Sequence, residues 1–183
     1  MSTCVVASRA AWPATSPVVL ATSAAVAEDP IATTPATPAS TTVEYVQGHG
    51  GNPAGHAVIS VDGKTPVGLD QKKASVGDAL GDKTTPGAVV PVDPSRKVKD
   101  QATIQVTPDQ AAKVQTFLDN ASKNAPNYNL YHSNCAQFCE RALQAGGVKN
   151  VPSDLTPKGL VNDLNHAASF LDYLRMVPIG PVF

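Results

Sequence analysis

Residues 128–147 read YNLYHSNCAQFCERALQAGG, and this stretch predicts an extended segment that turns into a helix. Asn134 is a favoured N-cap residue, and Gln137, three positions later, completes a capping box. The glycine pair that closes the stretch ends the helix, because glycine readily adopts the left-handed conformation found at helix C-termini. We therefore predict a helix that begins at Cys135.

The predicted helix has one apolar face. Its apolar residues recur at spacings of three and four: Cys135, Phe138, Cys139, Ala142 and Leu143. Cys135 lies in the first turn, where the helix dipole lowers the pKa of a thiol and favours the reactive thiolate. This position predicts a nucleophile at Cys135, whereas Cys139, one turn further on, is expected to pack in the core.

Length, charge and cysteine count restrict the classes of protein that this chain can belong to. Its 183 residues fit one domain, or one domain with a tail. A formal net charge of -1, without a cluster of Lys and Arg, argues against a nucleic-acid or anionic-membrane partner. The sequence also predicts no stable membrane span. Three cysteines are too few for a disulfide framework, so we expect free thiols in the folded domain.

The N-terminal part of the chain differs in composition from the rest. The segment IATTPATPASTT, residues 31–42, has the composition of a flexible linker that builds no core. We therefore predict a disordered, low-complexity tail over residues 1–42 and one folded domain over residues 43–183. The run VVLATSAAVA, residues 18–27, has some features of a secretory signal. A cleaved signal, a plain tail and the end of a longer delivery protein all remain open.

The predicted domain begins with strands and ends with helices. Short runs of strand character occur at residues 43–47, 56–62, 66–70, 88–92 and 102–106. A helix follows that begins with a capping box of Thr107 and Gln110, and Thr156 before Pro157 repeats the start signal after the Cys135 helix. This order predicts an α+β domain in which an antiparallel sheet packs against helices.

A nucleophilic cysteine needs a base, and His56 is the histidine best placed to supply one. It begins an apolar strand directly after a glycine-rich loop. A third group must orient the imidazole, and the next hairpin offers two candidates. A turn over residues 62–65 places Gln71 opposite His56, and a turn shorter by one residue places Asp70 there. Both remain candidates at this stage.

The negative charge that develops on a substrate carbonyl needs hydrogen-bond donors. The main-chain N–H of Cys135 is the default donor, supported by its N-cap residue Asn134. Asn129 and Tyr128, in the segment just before the helix, are further candidates.

A zinc site is the competing interpretation of the same region. Helical spacing puts the sulfurs of Cys135 and Cys139 on one face, where His132 could be a third ligand. The fourth ligand would have to be His49 or His56, because no second Cys/His cluster lies nearby in the sequence. We therefore predict no metal site and no cofactor.

Two segments together resemble the circularly permuted papain-like cysteine enzymes: GHAVISVDG at residues 55–63 and YNLYHSNCAQFCERALQAGGV at residues 128–148. This family includes permuted NlpC-type amidases, the lecithin:retinol acyltransferase-like group and toxin domains of bacterial secretion effectors. Its motif is a histidine at a strand start, followed later by Asn-Cys at a helix start and an aromatic residue three positions on. The matching residues are His56, Asn134, Cys135 and Phe138. PSDLTPKGLVNDL, residues 152–164, is similar to the segment that follows the helix in effector-type members.

The resemblance implies a permuted papain-like fold and a cysteine peptidase or amidase that works through a thioester. The implied substrate is a peptide, peptidoglycan or protein amide, and the implied partner of such a toxin is an immunity or inhibitor protein. The implied location is outside the producing cell, reached by secretion or by a bacterial secretion system after a cytoplasmic stage. Alternatives are a lipid acyltransferase of the same fold, a non-catalytic interaction module and a zinc-binding module.

Overall fold

The protein is described by a computed structural model, and the residues that it describes are 37–48, 54–73, 77 and 82–176. Side chains are described as far as residue 169. All of these residues belong to one unit that spans residues 35–183. The predicted tail up to residue 36 lies outside the described residues, and so does His49.

Five strands form one antiparallel sheet. They are β1 (Ala39–Val46), β2 (His56–Val61), β3 (Val67–Gln71), β4 (Gly87–Pro91) and β5 (Val98–Val106). Their order across the sheet is β4-β3-β2-β1-β5, and every neighbouring pair is antiparallel. With the helices that follow, this arrangement confirms the predicted α+β class.

The described helices are α1 (Pro108–Lys123), α2 (Cys135–Ala145) and α3 (Pro157–Met176). The capping boxes predicted for α1 and α2 are both present. In α2, the main-chain N–H of Gln137 donates to Asn134 Oδ1 at 3.0 Å, and the N–H of Asn134 donates to Gln137 Oε1 at 3.1 Å. Each box satisfies N–H groups that a helix start otherwise leaves without partners, so the local sequence fixes where these helices begin.

The main core lies where one face of the sheet meets the helices. Alternate residues of β1 and β2 contribute to it, with Val43 paired to Ile59. The predicted apolar face of α2 is buried along its whole length, which confirms its orientation. Its central residue, Phe138, packs against Phe117 of α1 with ring centroids 5.5 Å apart. Burial of a phenylalanine side chain of this kind stabilises a fold by about 1.5–3 kcal/mol. The core therefore holds the start of α2 firmly against β2.

The predicted boundary at residue 43 is wrong. Strand β1 begins at Ala39, and its central position gives it partners on both sides, β2 and β5. Thr41 is fully buried between Val61 and Ile104. Residues 39–42 are therefore part of the sheet, because their β-branched threonines fit a strand held between two neighbours.

Candidate active site

The start of α2 is tied to two loops through one amide group. Asn134 Nδ2 donates to the main-chain oxygen of Leu130 at 2.8 Å and to that of Leu155 at 2.9 Å. The Oδ1 atom of the same side chain caps α2. Asn134 is fully engaged within the protein and 2% exposed, so it positions its neighbour Cys135 and has no free donor for a substrate.

The sulfur of Cys135 lies among main-chain N–H groups. The N–H groups of Ala57 in β2, of Ala136 and of Cys135 itself are hydrogen-bonded to it, and each favours the thiolate. Burial acts in the opposite direction and is the larger effect, and the nearby negative charge of Asp70 adds to it. Together they raise the pKa of the Cys135 thiol to about 11. The predicted lowering of this pKa is therefore wrong, because desolvation outweighs the main-chain hydrogen bonds to the sulfur.

A cavity of about 510 Å³ opens beside Cys135. The described residues that line it are Tyr45, Ala54, Gly55, Tyr128, Leu130, Tyr131, Asn134, Cys135, Leu155, Thr156, Pro157 and Lys158. Its volume falls in the range of small-molecule sites, about 300–1,000 Å³. Two of its apolar residues, Tyr131 and Leu155, are exposed to 41% and 54% and form part of its rim. The cavity gives a ligand access to the buried thiol.

Tyr128 lines this cavity and pairs with Thr85, which precedes β4 in the chain. Its main-chain N–H and oxygen pair with Thr85 at 2.8 and 2.9 Å, which holds the residue in an extended conformation. Burial raises the pKa of the Tyr128 hydroxyl, and the negative charges of Asp70 and of the Cys135 thiolate, once it forms, raise it further. The hydroxyl therefore keeps its proton at neutral pH and can act as a hydrogen-bond donor next to the thiol.

His56 is the first residue of β2 and is buried. The pairing of Ile59 with Val67, continued by three residues, brings His56 opposite Asp70, the register that results from the shorter turn. Gly68 of β3 lies directly against the imidazole, because a Cβ atom at Gly68 would come within 2.5 Å of His56 Nε2. The Nε2 side of the ring therefore faces β3, the strand that carries Asp70.

Gln71, the other candidate orienting residue, pairs with Gly87 of β4. Its Nε2 atom is a buried side-chain nitrogen without a hydrogen-bond partner. The main-chain N–H of Gln71 donates to Asp70 Oδ1 at 2.8 Å, which fixes one oxygen of that carboxylate. Of the two candidates, the register therefore favours Asp70 as the neighbour of His56.

Asn129 does not occupy the position that an oxyanion donor needs. Its Nδ2 donates to the main-chain oxygen of Asp82 at 3.2 Å and to Asp82 Oδ1 at 3.0 Å. Its Oδ1 accepts the N–H groups of Tyr131 and His132, each at 2.9 Å. The side chain closes a turn and joins it to the preceding loop. The predicted catalytic role of Asn129 is therefore replaced by a structural one.

His132 lies outside the site. Its side chain is 74% exposed, and its Nε2 is 3.7 Å from Asp82 Oδ1. Cys139 is fully buried in the core, as predicted, and burial raises the pKa of its thiol. Both Cys135 and Cys139 are free cysteines. Over the part of the chain that the structure describes, no group of three or more His, Cys, Asp or Glu residues could hold a metal ion.

Glu140 is a buried carboxylate that the sequence interpretation missed. It accepts the main-chain N–H of Asp154 at 2.7 Å and the hydroxyl of Ser153 at 3.2 Å. These bonds attach the loop that carries Leu155 to α2 at the residue that follows Cys139. The only signal in the sequence is a charged residue next to the apolar face of a helix, which is usually a solvated position.

Comparisons of the chain with protein-family models, with curated proteins and with solved structures find no match. Within residues 37–48, 54–73 and 82–176, no helix combines the length and the apolar character needed to cross a bilayer.

Proposed function

We propose that this chain is a cysteine-dependent amide hydrolase with a permuted papain-like architecture. One observation supports this proposal above the others. The sulfur of Cys135 lies at the start of α2, receives the N–H of Ala57 and borders a cavity of about 510 Å³. An inert core thiol has no need for either the donors or the cavity, whereas a nucleophile needs both.

The raised pKa of the Cys135 thiol supports activation of the nucleophile by a general base. A neutral thiol is a poor nucleophile, so its proton must leave as the sulfur attacks. We assign this proton to the imidazole of His56, which adjoins the residue whose N–H contacts the sulfur. Asp70, opposite His56 in the register, would hold the ring and stabilise its protonated form. The pair then works as a nucleophile with a general base, without a resting ion pair.

The reaction proceeds in two steps, formation of the thioester and its hydrolysis. The sulfur of Cys135 forms a bond to the carbonyl carbon, and its proton moves to His56. The oxyanion is stabilised by the N–H of Cys135 and the hydroxyl of Tyr128. Its collapse breaks the C–N bond, and His56 returns the proton to the departing amine. Water then attacks the thioester, gives its proton to His56 and releases the acid, and the proton returns to the thiol.

The test of this function is product analysis. Peptidoglycan fragments and a set of peptide and protein amides would be incubated with the wild-type protein and with Cys135→Ala, and products would be identified by mass spectrometry. A carboxylic acid product that appears only with the wild type, together with a thioester trapped on Cys135, is the expected result. Equal product profiles for both proteins would reject the hydrolase.

Delivery from a bacterial cell and neutralisation by an immunity protein belong to the same proposal. The family resemblance of the sequence is what supports them. Expression of the domain in the bacterial cytoplasm and in the periplasm would test them. Growth arrest in one compartment, dependent on Cys135, is expected for a toxin.

A further inference from the structure

The cavity beside Cys135 is walled mainly by apolar and aromatic side chains. Those that carry most of its wall are Tyr45, Tyr128, Leu130, Tyr131, Leu155 and Pro157. Tyrosine and leucine walls bind a ligand mainly through the apolar surface that they remove from water. The exposed rim residues Tyr131 and Leu155 would be covered further by such a ligand.

Two polar side chains of the cavity, those of Asn134 and Thr156, are already hydrogen-bonded within the protein. The amide nitrogen of Asn134 donates to two main-chain oxygens, at 2.8 and 2.9 Å. The hydroxyl of Thr156 donates to Asp154 Oδ1 at 2.8 Å and accepts the N–H of Gly159 at 3.0 Å. A polar ligand group placed against these residues would lose its bonds to water without gaining new ones, which is costly. The part of the cavity formed by Asn134 and Thr156 therefore disfavours a polar side chain.

The charge at the mouth of the cavity also disfavours charged ligand groups. Lys158 is the one charged residue among the described residues that line the cavity, and it is exposed in the first turn of α3. Its ammonium group would repel a cationic ligand group at the mouth. An acidic group could pair with Lys158 only in water at the rim, where such pairs are worth little. The interior of the cavity therefore favours an uncharged ligand group.

We propose that this cavity binds a large apolar side chain, which under the proposed function belongs to the residue whose carbonyl Cys135 attacks. The reaction in this inference rests on the proposed function. The binding preference of the cavity does not depend on it. The three tyrosines of the wall favour an aromatic side chain over a long hydrocarbon chain, because pairs of aromatic rings are stabilised beyond the burial of their area. The substrate is then a peptide amide with such a residue at the cleaved bond.

The first experiment measures the ligand preference of the cavity and does not require turnover. Iodoacetamide and its N-benzyl derivative would be reacted with the full chain, and labelling of Cys135 would be followed by peptide mass spectrometry. Each rate would be divided by the rate of the same reagent with glutathione. The expected result is a preference for the benzyl reagent of at least about tenfold, from burial of the ring. A ratio near one would overturn the inference.

Matched variants locate this preference in the cavity. Leu155→Asp places a charge on the rim, and the expected result is loss of most of the benzyl preference. Val90→Asp is the control, because Val90 is also an exposed apolar residue, at 38%, but lies on β4 outside the cavity lining. A preference that is unchanged in Leu155→Asp, or equally reduced in both variants, would overturn the inference.

The second experiment separates this inference from the proposed function. Peptide amides that differ only in the residue before the cleaved bond would be compared, with Phe, Leu, Ala, Glu and Lys at that position. Faster turnover of Phe and Leu supports both proposals. Turnover without that order overturns the side-chain preference and keeps the hydrolase. Benzyl selectivity with no turnover of any amide rejects the hydrolase and keeps the cavity preference. Turnover confined to fatty-acyl esters overturns the peptide substrate in favour of a lipid.

Discussion

The main-chain N–H of Ala57 in β2 is hydrogen-bonded to the sulfur of Cys135 at the first residue of α2. This contact joins the start of the helix to the strand that His56 begins. It belongs to the backbone, so no side-chain substitution at Ala57 removes it directly. The position of the nucleophile relative to the proposed base is therefore a property of the sheet and helix packing.

The first prediction concerns the nucleophile. Cys135→Ala is expected to abolish turnover and to leave the fold intact, because alanine keeps the helix start and removes only one buried atom. The expected loss in free energy of unfolding is on the order of 1 kcal/mol. Circular dichroism and urea unfolding measure the second part. Loss of helical signal would make Cys135 a structural residue.

Cys139→Ser is expected to behave in the opposite way. Cys139 is fully buried on the apolar face of α2, so a serine hydroxyl there is desolvated. The expected cost is roughly 1–3 kcal/mol of stability, with turnover retained at low temperature. Urea midpoints and initial rates of this variant and of Cys135→Ser would be compared. A stable but inactive Cys139→Ser would transfer the role of nucleophile to Cys139.

The reactivity of Cys135 should rise at unusually high pH. Burial raises the pKa of the Cys135 thiol to about 11, whereas an ordinary cysteine has a pKa of about 8.5. The fraction of Cys135 present as thiolate should therefore keep increasing at pH values at which an ordinary cysteine is already ionised. Iodoacetamide labelling of Cys135 between pH 7 and 11, read by mass spectrometry, measures this profile. In the same range the unfolded state loses its proton first, so this group destabilises the folded protein as pH rises. A midpoint below 8.5 in the wild type would show an ion pair with an imidazolium.

His132→Ala serves as the control for that profile. His132 is close to Cys135 in sequence, but its side chain is 74% exposed and lies beside Asp82. The labelling profile of this variant is expected to match that of the wild type. A clear shift would place His132 next to the thiol in solution.

Two truncations test the corrected start of the domain. Removal of residues 1–42 takes away half of β1, including the buried Thr41, whereas removal of residues 1–36 leaves that strand whole. The shorter chain is expected to be less stable than the longer one by at least about 2 kcal/mol, or roughly 4–8 °C in Tm. Thermal unfolding of both chains measures the difference. Equal Tm values would restore the boundary at residue 43.

Gly68→Ala tests the arrangement of His56. The added Cβ would come within 2.5 Å of His56 Nε2 and 2.7 Å of the main-chain oxygen of Ala57, so the ring has to move. A loss of turnover larger than the loss of stability is expected, with a change in the pH dependence of kcat/KM. Gly63→Ala is the matched control. It has no neighbour within 4 Å of the new Cβ but has a φ of +70°, so it costs stability without affecting turnover. Equal effects of the two variants would remove His56 from the mechanism.

The sequence predicts the helix starts well because the signals are local. The capping boxes of Thr107 and Asn134 need only residues three positions apart, and both form as predicted. The apolar face of α2 is equally local, because it depends on helical periodicity alone. These features therefore do not depend on contacts with distant segments of the chain.

Features that depend on distant segments are predicted less well. Residues 39–42 are Ser/Thr-rich, and they form a strand because β2 and β5 pair with their two edges. The length of the turn after β2 cannot be read from its residues, so the pairing of Ile59 with Val67 is needed to favour Asp70 over Gln71. The thiol pKa of Cys135 likewise depends on how completely other elements bury it, which the helix position alone does not reveal.

Asn134 joins two parts of the cavity lining and also caps the start of the helix. Its single amide nitrogen spans the main-chain oxygens of Leu130 and Leu155, whose side chains line the same cavity. A ligand too wide for the cavity would have to stretch both bonds and would thereby pull on the residue next to the nucleophile. The same hydrogen bonds therefore limit the size of the ligand and align Cys135. A ligand that fits poorly would also misplace the sulfur that must attack it.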